Sequence, residues 1–447
     1  MTIKTLLRGV ALALGLSAPA LAIDDVFVSG DLHLNAGLEV GAFFGAAVNP
    51  NFGAGRVDLR TGKNTGDTQF GETYLEPSVS FTFEPRESFG LFGEASAVLT
   101  GTLGEGDAGG FTSGTDGDVD PEKYSLGFHT TFSGPSGGTW TLEASGGRQD
   151  VKIGDGFLIW DGNFDAFENA AYWLAPRSAF RWAGTAELSN GSFGLKPFYI
   201  QGDGDQDHSE MVGADMRIEG KWGKLGALYG QIVASDDVVF VRDGLQLASF
   251  RANGINIPGV EGLKFSGEYT RQFGRGNGAD FDANAFYGQG DYVFASLPWS
   301  PTLTYRYARF SGDSNPDGGD NGTFDPLFYG FSSGWGTWFQ GAIIGNFFLF
   351  NSNQRNHMAK LSLAPTDALG LGLIYYHFAL DEKNFFGTPV SSRSFADEVN
   401  LYAEWMVSDH VFVSGVAGVA FPAKGAEQAF GDNKTILVLE AFVVVTF

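Results

Sequence analysis

Basic side chains are scarce in this sequence, and several interrupt segments that otherwise alternate between apolar and polar residues. Arg177, Arg181, Arg217, Lys264 and Arg306 fall inside such segments, and Arg148, Arg309 and Arg355 near the ends of others. A guanidinium forks onto a carboxylate through two hydrogen bonds, so a row of them suits the binding of acidic groups. The same cations could instead pair with Glu76, Glu94, Asp215, Glu219 and Glu404 and simply fill an interior. Other chemistry is less well signalled. The 6 His (His33, His129, His208, His357, His377 and His410) form no HExxH or paired ligand spacing, and there is no GxSxG. Neither a zinc site nor a serine hydrolase is therefore indicated, and no cofactor is implied. "DGDVD" at Asp116–Asp120 and "GDGDQD" at Gly202–Asp207 look like calcium loops but lack the later Gly and Glu of an EF-hand. Solvated acidic loop tips are the plainer reading. With no cysteine, thiolate ligands, Cys nucleophiles and disulfides are all excluded.

The elements that must carry these residues are strands. "EVNLYAEWMV" sets Val399, Leu401, Ala403 and Trp405 against Glu398, Asn400, Tyr402 and Glu404. "EPSVSFTF", "ADMRIEG" and "TLTYRYARF" alternate in the same way, the last placing Leu303, Tyr305 and Tyr307 opposite Thr304 and Arg306. Segments of about ten alternating residues separated by turn residues are the pattern of a transmembrane β-barrel. Aromatics near segment ends suit the membrane interfaces better than they suit a soluble sandwich. Eighteen such segments are legible, from 28–44 to 434–447, with the sixth at 177–188 and the tenth at 236–250. Connections after even-numbered segments are mostly tight; those after odd ones are mostly long, as at 45–71, 102–121, 151–176, 311–354 and 381–394. That parity predicts short periplasmic turns and long extracellular loops, with both chain ends periplasmic.

The first residues agree. Lys4 and Arg8, an apolar run and small Ala20 and Ala22 read as a signal peptide over 1–22, leaving a barrel over 23–447. The formal charge is −24 for the whole chain, which makes nucleic acid a poor partner. The loop around 102–121 carries acidic residues and no basic one, and so does that around 311–354. Strand cations should therefore point into the lumen, because lipid rejects them. The last segment gives lipid Leu437, Leu439, Ala441, Val443, Val445 and Phe447. A terminal aromatic in this register resembles the signal by which outer-membrane proteins are recognised for assembly. The longest loop, with "FDPLFYGFSSGWGTWFQG", is rich enough in aromatics to be packed inward rather than free.

Three stretches resemble the alginate export family of outer-membrane proteins: "GGRQDVKIGDGFLIWDG" (Gly146–Gly162), "YRYARFSGDSNPDGGDNGTFDPLFYG" (Tyr305–Gly330) and "FADEVNLYAEWMVSDHVFVSGVAGVAFP" (Phe395–Pro422). The resemblance implies an eighteen-stranded monomeric barrel that passes an anionic polysaccharide through an Arg-lined lumen. It implies lumenal roles for Arg148 and Arg306 and loop-forming roles for Asp313, Asp325 and Pro326. The turn before the penultimate strand, long in the family's best-known member, is only "VSDH" here. The expected protein is thus an outer-membrane channel for acidic sugars or polysaccharide, with Arg148, Arg177, Arg181, Arg217, Lys264 and Arg306 along the path. Its expected partners are outer-membrane lipid and lipopolysaccharide, an anionic sugar, and the barrel-assembly machinery through Phe447. A general porin for small solutes and an outer-membrane hydrolase acting on lipid are the alternatives, and the direction of transport stays open.

Overall fold

Alternation puts every second side chain on one face of a strand, and a chain with this many alternating strands must enclose one face and give the other to its surroundings. In the computed structural model the described residues are 23–112, 114–134, 137–163, 167, 169–204, 208–236, 242–276, 279–315, 318–330 and 334–447. The expected signal peptide lies outside the described residues. The main sheet has 20 strands. Two are short additions, Ile23–Ser29 and Asp320–Asn321, and the other eighteen form a closed antiparallel wall. They are β1 (Leu32–Val48), β2 (Thr68–Arg86), β3 (Phe89–Gly104), β4 (Asp116–Ser133), β5 (Thr139–Gln149) and β6 (Phe180–Ser189). Then come β7 (Phe193–Gln201), β8 (Glu210–Gly220), β9 (Gly223–Ala234), β10 (Leu245–Asn256), β11 (Leu263–Gly276) and β12 (Ala279–Val293). The wall is completed by β13 (Thr302–Phe310), β14 (Gln354–Thr366), β15 (Leu369–Leu380), β16 (Ser394–Ser408), β17 (Val411–Pro422) and β18 (Ile436–Thr446).

Closure is direct. β1 pairs with β18 from Glu39↔Thr446 to Val48↔Leu437, and on its other edge with β2. The parity of the connections holds with one exception, β11 to β12, where only 277–278 intervene. Outward positions are apolar and exposed, as at Leu401, Trp405, Leu437, Leu439 and Phe447. Their neighbours Glu398, Asn400, Tyr402, Val438, Glu440 and Phe442 face inward and are buried.

Three boundaries differ from the sequence reading, each for a local reason. The first segment begins earlier and is a hairpin, Ile23–Ser29 folding onto Leu32–Val48 through Gly30 at φ 60°. The sixth strand begins at Phe180, because Glu122 Oε1 accepts the amides of Ser178 (3.0 Å) and Ala179 (3.1 Å) and holds that stretch off the sheet. The tenth strand is Leu245–Asn256, displaced along the chain from the expected 236–250, of which 237–241 lie outside the described residues. "DGDVD" is not a loop tip but the start of β4. Among the described residues no group of three or more His, Asp or Glu side chains converges as a metal site.

Candidate functional site

The described parts of two connections, 150–179 and 311–353, lie inside the barrel, and the residues that could do chemistry meet there. The first loop is launched by a bulge. Register shifts between Gly147 and Gln149 of β5, and Gly147 sits at φ 132°, where a Cβ would come within 2.2 Å of the Tyr124 carbonyl oxygen. Simple alternation would have turned Arg148 outward; the bulge turns it in. Arg148 is buried, donates from Nε to the Glu122 carbonyl (3.0 Å) and forks onto Asp203, with Nη1 2.6 Å from Oδ1. Asp203 also accepts from Arg177 Nη2 (2.8 Å) and Asn163 Nδ2 (3.1 Å), and Arg177 Nη1 reaches Asp120 (3.1 Å) and Asn169 (2.9 Å). Further along the loop, Glu72 of β2 accepts the Leu174 amide at 2.8 Å. Wall side chains thus meet loop backbone, which satisfies polar groups that no water could reach.

The second loop is held by aromatic packing. The Trp338 ring centroid is 4.7 Å from those of Phe157 and Tyr287, and the Arg306 guanidinium carbon lies 4.7 Å from it. Arg306 is fully buried and donates through Nη2 to the Thr337 carbonyl and to Gln340 Oε1, both at 3.1 Å. Among the described residues it has no carboxylate within ion-pair distance. Trp335 donates to Ser414 (3.0 Å), and Glu398 of β16 accepts the amides of Ile343 (3.0 Å) and Ile344 (2.8 Å). Asp325 is forked by Arg242, at 2.7 and 2.9 Å. The two loops join where Trp160 donates its amide to the Phe328 carbonyl at 2.7 Å, and Phe180 stacks edge-on against Phe328.

The six basic residues singled out from the sequence therefore have different surroundings. Arg306 contacts the second inward loop, Arg177 lies within the first rather than on a strand, and Arg148 is joined to Arg177 through Asp203. Arg217 faces the lumen and pairs with Glu187, which Lys196 also approaches at 2.9 Å. Lys264 is exposed near the short-turn rim, in register with Asp291. Arg181 is exposed at the loop rim, hydrogen-bonded to His208 at 2.8 Å. The ring beside it, Phe180, is the buried one and Trp182 is exposed, because between Gly147↔Ala183 and Gln149↔Phe180 the start of β6 carries one residue more than β5 and alternation breaks there.

Sequence reasoning passed over Lys123, Arg242, Arg251 and Lys360, which also face the interior. Arg251 pairs with Asp215 at 2.7 Å and Lys123 with Asp150. One signal was available. β16, β17, β18, β1, β2 and β3 contain no Lys or Arg except Arg86, the last residue of β2, so the basic strand residues lie almost entirely on β4 to β14. Above the barrel, between 313–323 and 384–387, a cavity of about 410 Å³ is lined by Asp313, Asp320, Asn321, Asn353, Phe385 and Phe386.

A closed eighteen-stranded wall with an apolar outer band and loops folded into its lumen defines an outer-membrane β-barrel of the porin type. Solved structures share that fold. Pseudomonas aeruginosa OccD3 (OpdP) superposes with a TM-score of 0.55 at 10% identity, over 95% of this chain and 93% of that one. Acinetobacter baumannii OccAB2 gives 0.54 at 9%, over 93% and 98%. Pseudomonas aeruginosa OccK7 (OpdD) gives 0.53 at 12%, over 93% and 98%. The family recognised in the sequence is also the one matched: the alginate export model covers residues 189–411, from the end of β6 to the start of β17. Among curated proteins none matches.

Proposed function

We propose that the barrel is a loop-gated outer-membrane channel for acidic sugars and their oligomers, with the basic wall of β4 to β14 as the contact surface. The observation that carries this reading is where the inward segments put their own carboxylates. Asp203 lies in the fork of Arg148, Asp325 in that of Arg242, and Asp150 against Lys123. Each cation is thus compensated by a group from a connecting segment. When those segments shift, the cations meet the lumen, and a uronate carboxylate offers the same bidentate acceptor. Arg306 is already without an acidic partner among the described residues, and Trp338 beside it offers a flat ring on which a sugar can stack. No catalytic step is part of the proposal. A general porin for small solutes is the second reading, favoured by Asp313 and Asp320 at the mouth, which repel anions.

Conductance of the purified barrel in planar bilayers decides between them. Uronate oligomers should block the wild-type channel, and Arg306→Gln should weaken that block about tenfold, the loss of roughly one charged contact. A wild-type channel that prefers cations and ignores uronates would discard the acidic-sugar reading and leave the general porin.

A further inference from the structure

Two unfavourable features coincide at the loop end of the barrel. Phe386, in the connection between β15 and β16, is held at φ 44°, a conformation that glycine enters freely and a bulky residue only under strain. Its ring is also 65% exposed, so the area it could have buried is left in water. The neighbouring Phe385 packs instead on Phe395 and Phe430, with ring centroids 5.4 and 5.2 Å away. Phe386 meets Phe385 at 5.1 Å and Phe350 at 6.5 Å, contacts that fix its ring without covering it.

The ring borders the cavity of about 410 Å³ between 313–323 and 384–387, a volume within the range of small-ligand sites. Leu349 and Leu380 give that cavity apolar patches, and Asp313, Asp320, Asn321 and Asn384 give it polar ones. Both sides are fixed in place. Asp320–Asn321 pairs with Asp280 and Phe281 of β12, and Asn353 Nδ2 donates to the Asn384 carbonyl at 2.6 Å. Thr323 and Gly387 donate their amides to Oδ1 of Asn321 (3.1 Å) and Asn384 (2.7 Å). Each side-chain NH2 is thereby left as a donor without a partner among the described residues, and the Asp320 carboxylate has no partner there either. Across 318–320 lies a second cavity of about 360 Å³, with Asn284, Ser311 and Asn315 in its lining.

We propose that this cavity is a binding site for an uncharged sugar ring, separate from the lumen. A pyranose has one face of C–H groups, which lies on an aromatic ring, and an edge of hydroxyls, which donate to carboxylates and accept from amides. Phe386 supplies the first; Asp320, Asn321 and Asn384 supply the second. None of the residues lining the cavity is basic, and Asp313 and Asp320 repel a uronate carboxylate. A cation would account for the two aspartates but not for an aromatic ring kept open beside them. The adjoining cavity gives room for a further unit of the same sugar chain.

The test measures retention of the full-length barrel, in a detergent without a sugar headgroup, on immobilised trimers of glucose, galactose, mannose and glucuronate. At least one uncharged trimer should retain the wild type more tightly than the glucuronate trimer does. Phe386→Ala and Asp320→Asn should each weaken that binding about tenfold. Both residues are exposed, so neither substitution disturbs the packed interior. Block of conductance by uronate oligomers should be the same in Phe386→Ala as in the wild type. Retention on none of the uncharged trimers overturns the proposal, as does binding that survives both substitutions. A joint fall of sugar retention and uronate block in Phe386→Ala also overturns it, because the sugar would then share the lumen.

Discussion

The two loops that fill the lumen are held by different forces. Loop 150–179 is fixed by a polar network: Asp203 with Arg148, Arg177 and Asn163, Glu122 with two amides, Glu72 with a third. Loop 311–353 is fixed mainly by apolar area. Trp338 wedges against Phe157 and Tyr287, and Phe347 and Phe348 pack on Trp173 and Phe52. Buried charge pairs roughly balance attraction against desolvation, so the first loop is set precisely without being held strongly. Aromatic burial is strongly favourable and tolerates small displacements. The second loop is thus the obstruction, and the first loop positions the groups around it.

Removing the obstruction should have the largest effect. Deleting 324–340 takes out Trp335, Trp338 and Phe339 and should raise single-channel conductance several-fold. Conductance equal to wild type would mean that the pathway runs elsewhere. Next come single substitutions that separate the two forces. Trp338→Ala should cost about 4 kcal/mol of loop docking, independent of ionic strength. Arg148→Gln should cost about 3 kcal/mol by leaving Asp203 short of its fork. Measured against wild type, the cost of the Arg148 substitution should fall from low to high salt, because screening weakens the charge pair it removes, whereas the cost of the Trp338 substitution should not change. Matching salt responses in the two variants would erase the distinction.

The smallest expected effect is that of pH at the base of the second loop. Asp381 follows the last residue of β15. Burial alone would raise its pKa, but hydrogen bonds from Arg309 and Arg355 and the Gly312 amide outweigh it and hold the carboxyl below its ordinary value. A depressed folded-state pKa stabilises above the unfolded value and is lost as pH falls through the folded one. Both arginines are partly exposed, so the contribution is at most about 1 kcal/mol. Acidification through the carboxylate range should make 312–323 more open to acid-active protease, and Asp381→Asn should remove that pH dependence. A variant that keeps it would point to another carboxylate.

The barrel was legible because lipid and lumen impose opposite demands on alternate residues, and a strand such as Ile436–Thr446 displays both. The connection parity came with it. Where the chain leaves the sheet, alternation has nothing to report. Arg177 looked like a strand residue because the sixth alternating segment is legible from 177, yet two amides captured by Glu122 keep it in the loop. Arg148 was readable only by likeness to a family motif, since the bulge at Gly147 depends on a contact with Tyr124, a residue distant in sequence. The inward packing of 311–353 could be expected from its aromatics, but its partners on β12, β13, β16 and β17 depend on closure of the whole wall.

That closure bears on how the protein is made. The strand Ile23–Ser29 and β18 lie along the same edge of β1, and the amide and carbonyl of Phe447 both bond to Leu38. The seam joins the first and last strands of the wall, so no smaller run of these strands can satisfy all its edges. Sequence separation at this junction is the largest in the wall, and the entropy of ring closure must be met before the final ladder gives any return. Until the last residue is available, intermediates expose an unpaired strand at each end, which invites pairing with a neighbouring chain. Biogenesis should therefore behave as one concerted step, with a chain truncated by a single terminal strand failing outright rather than yielding a slightly smaller barrel.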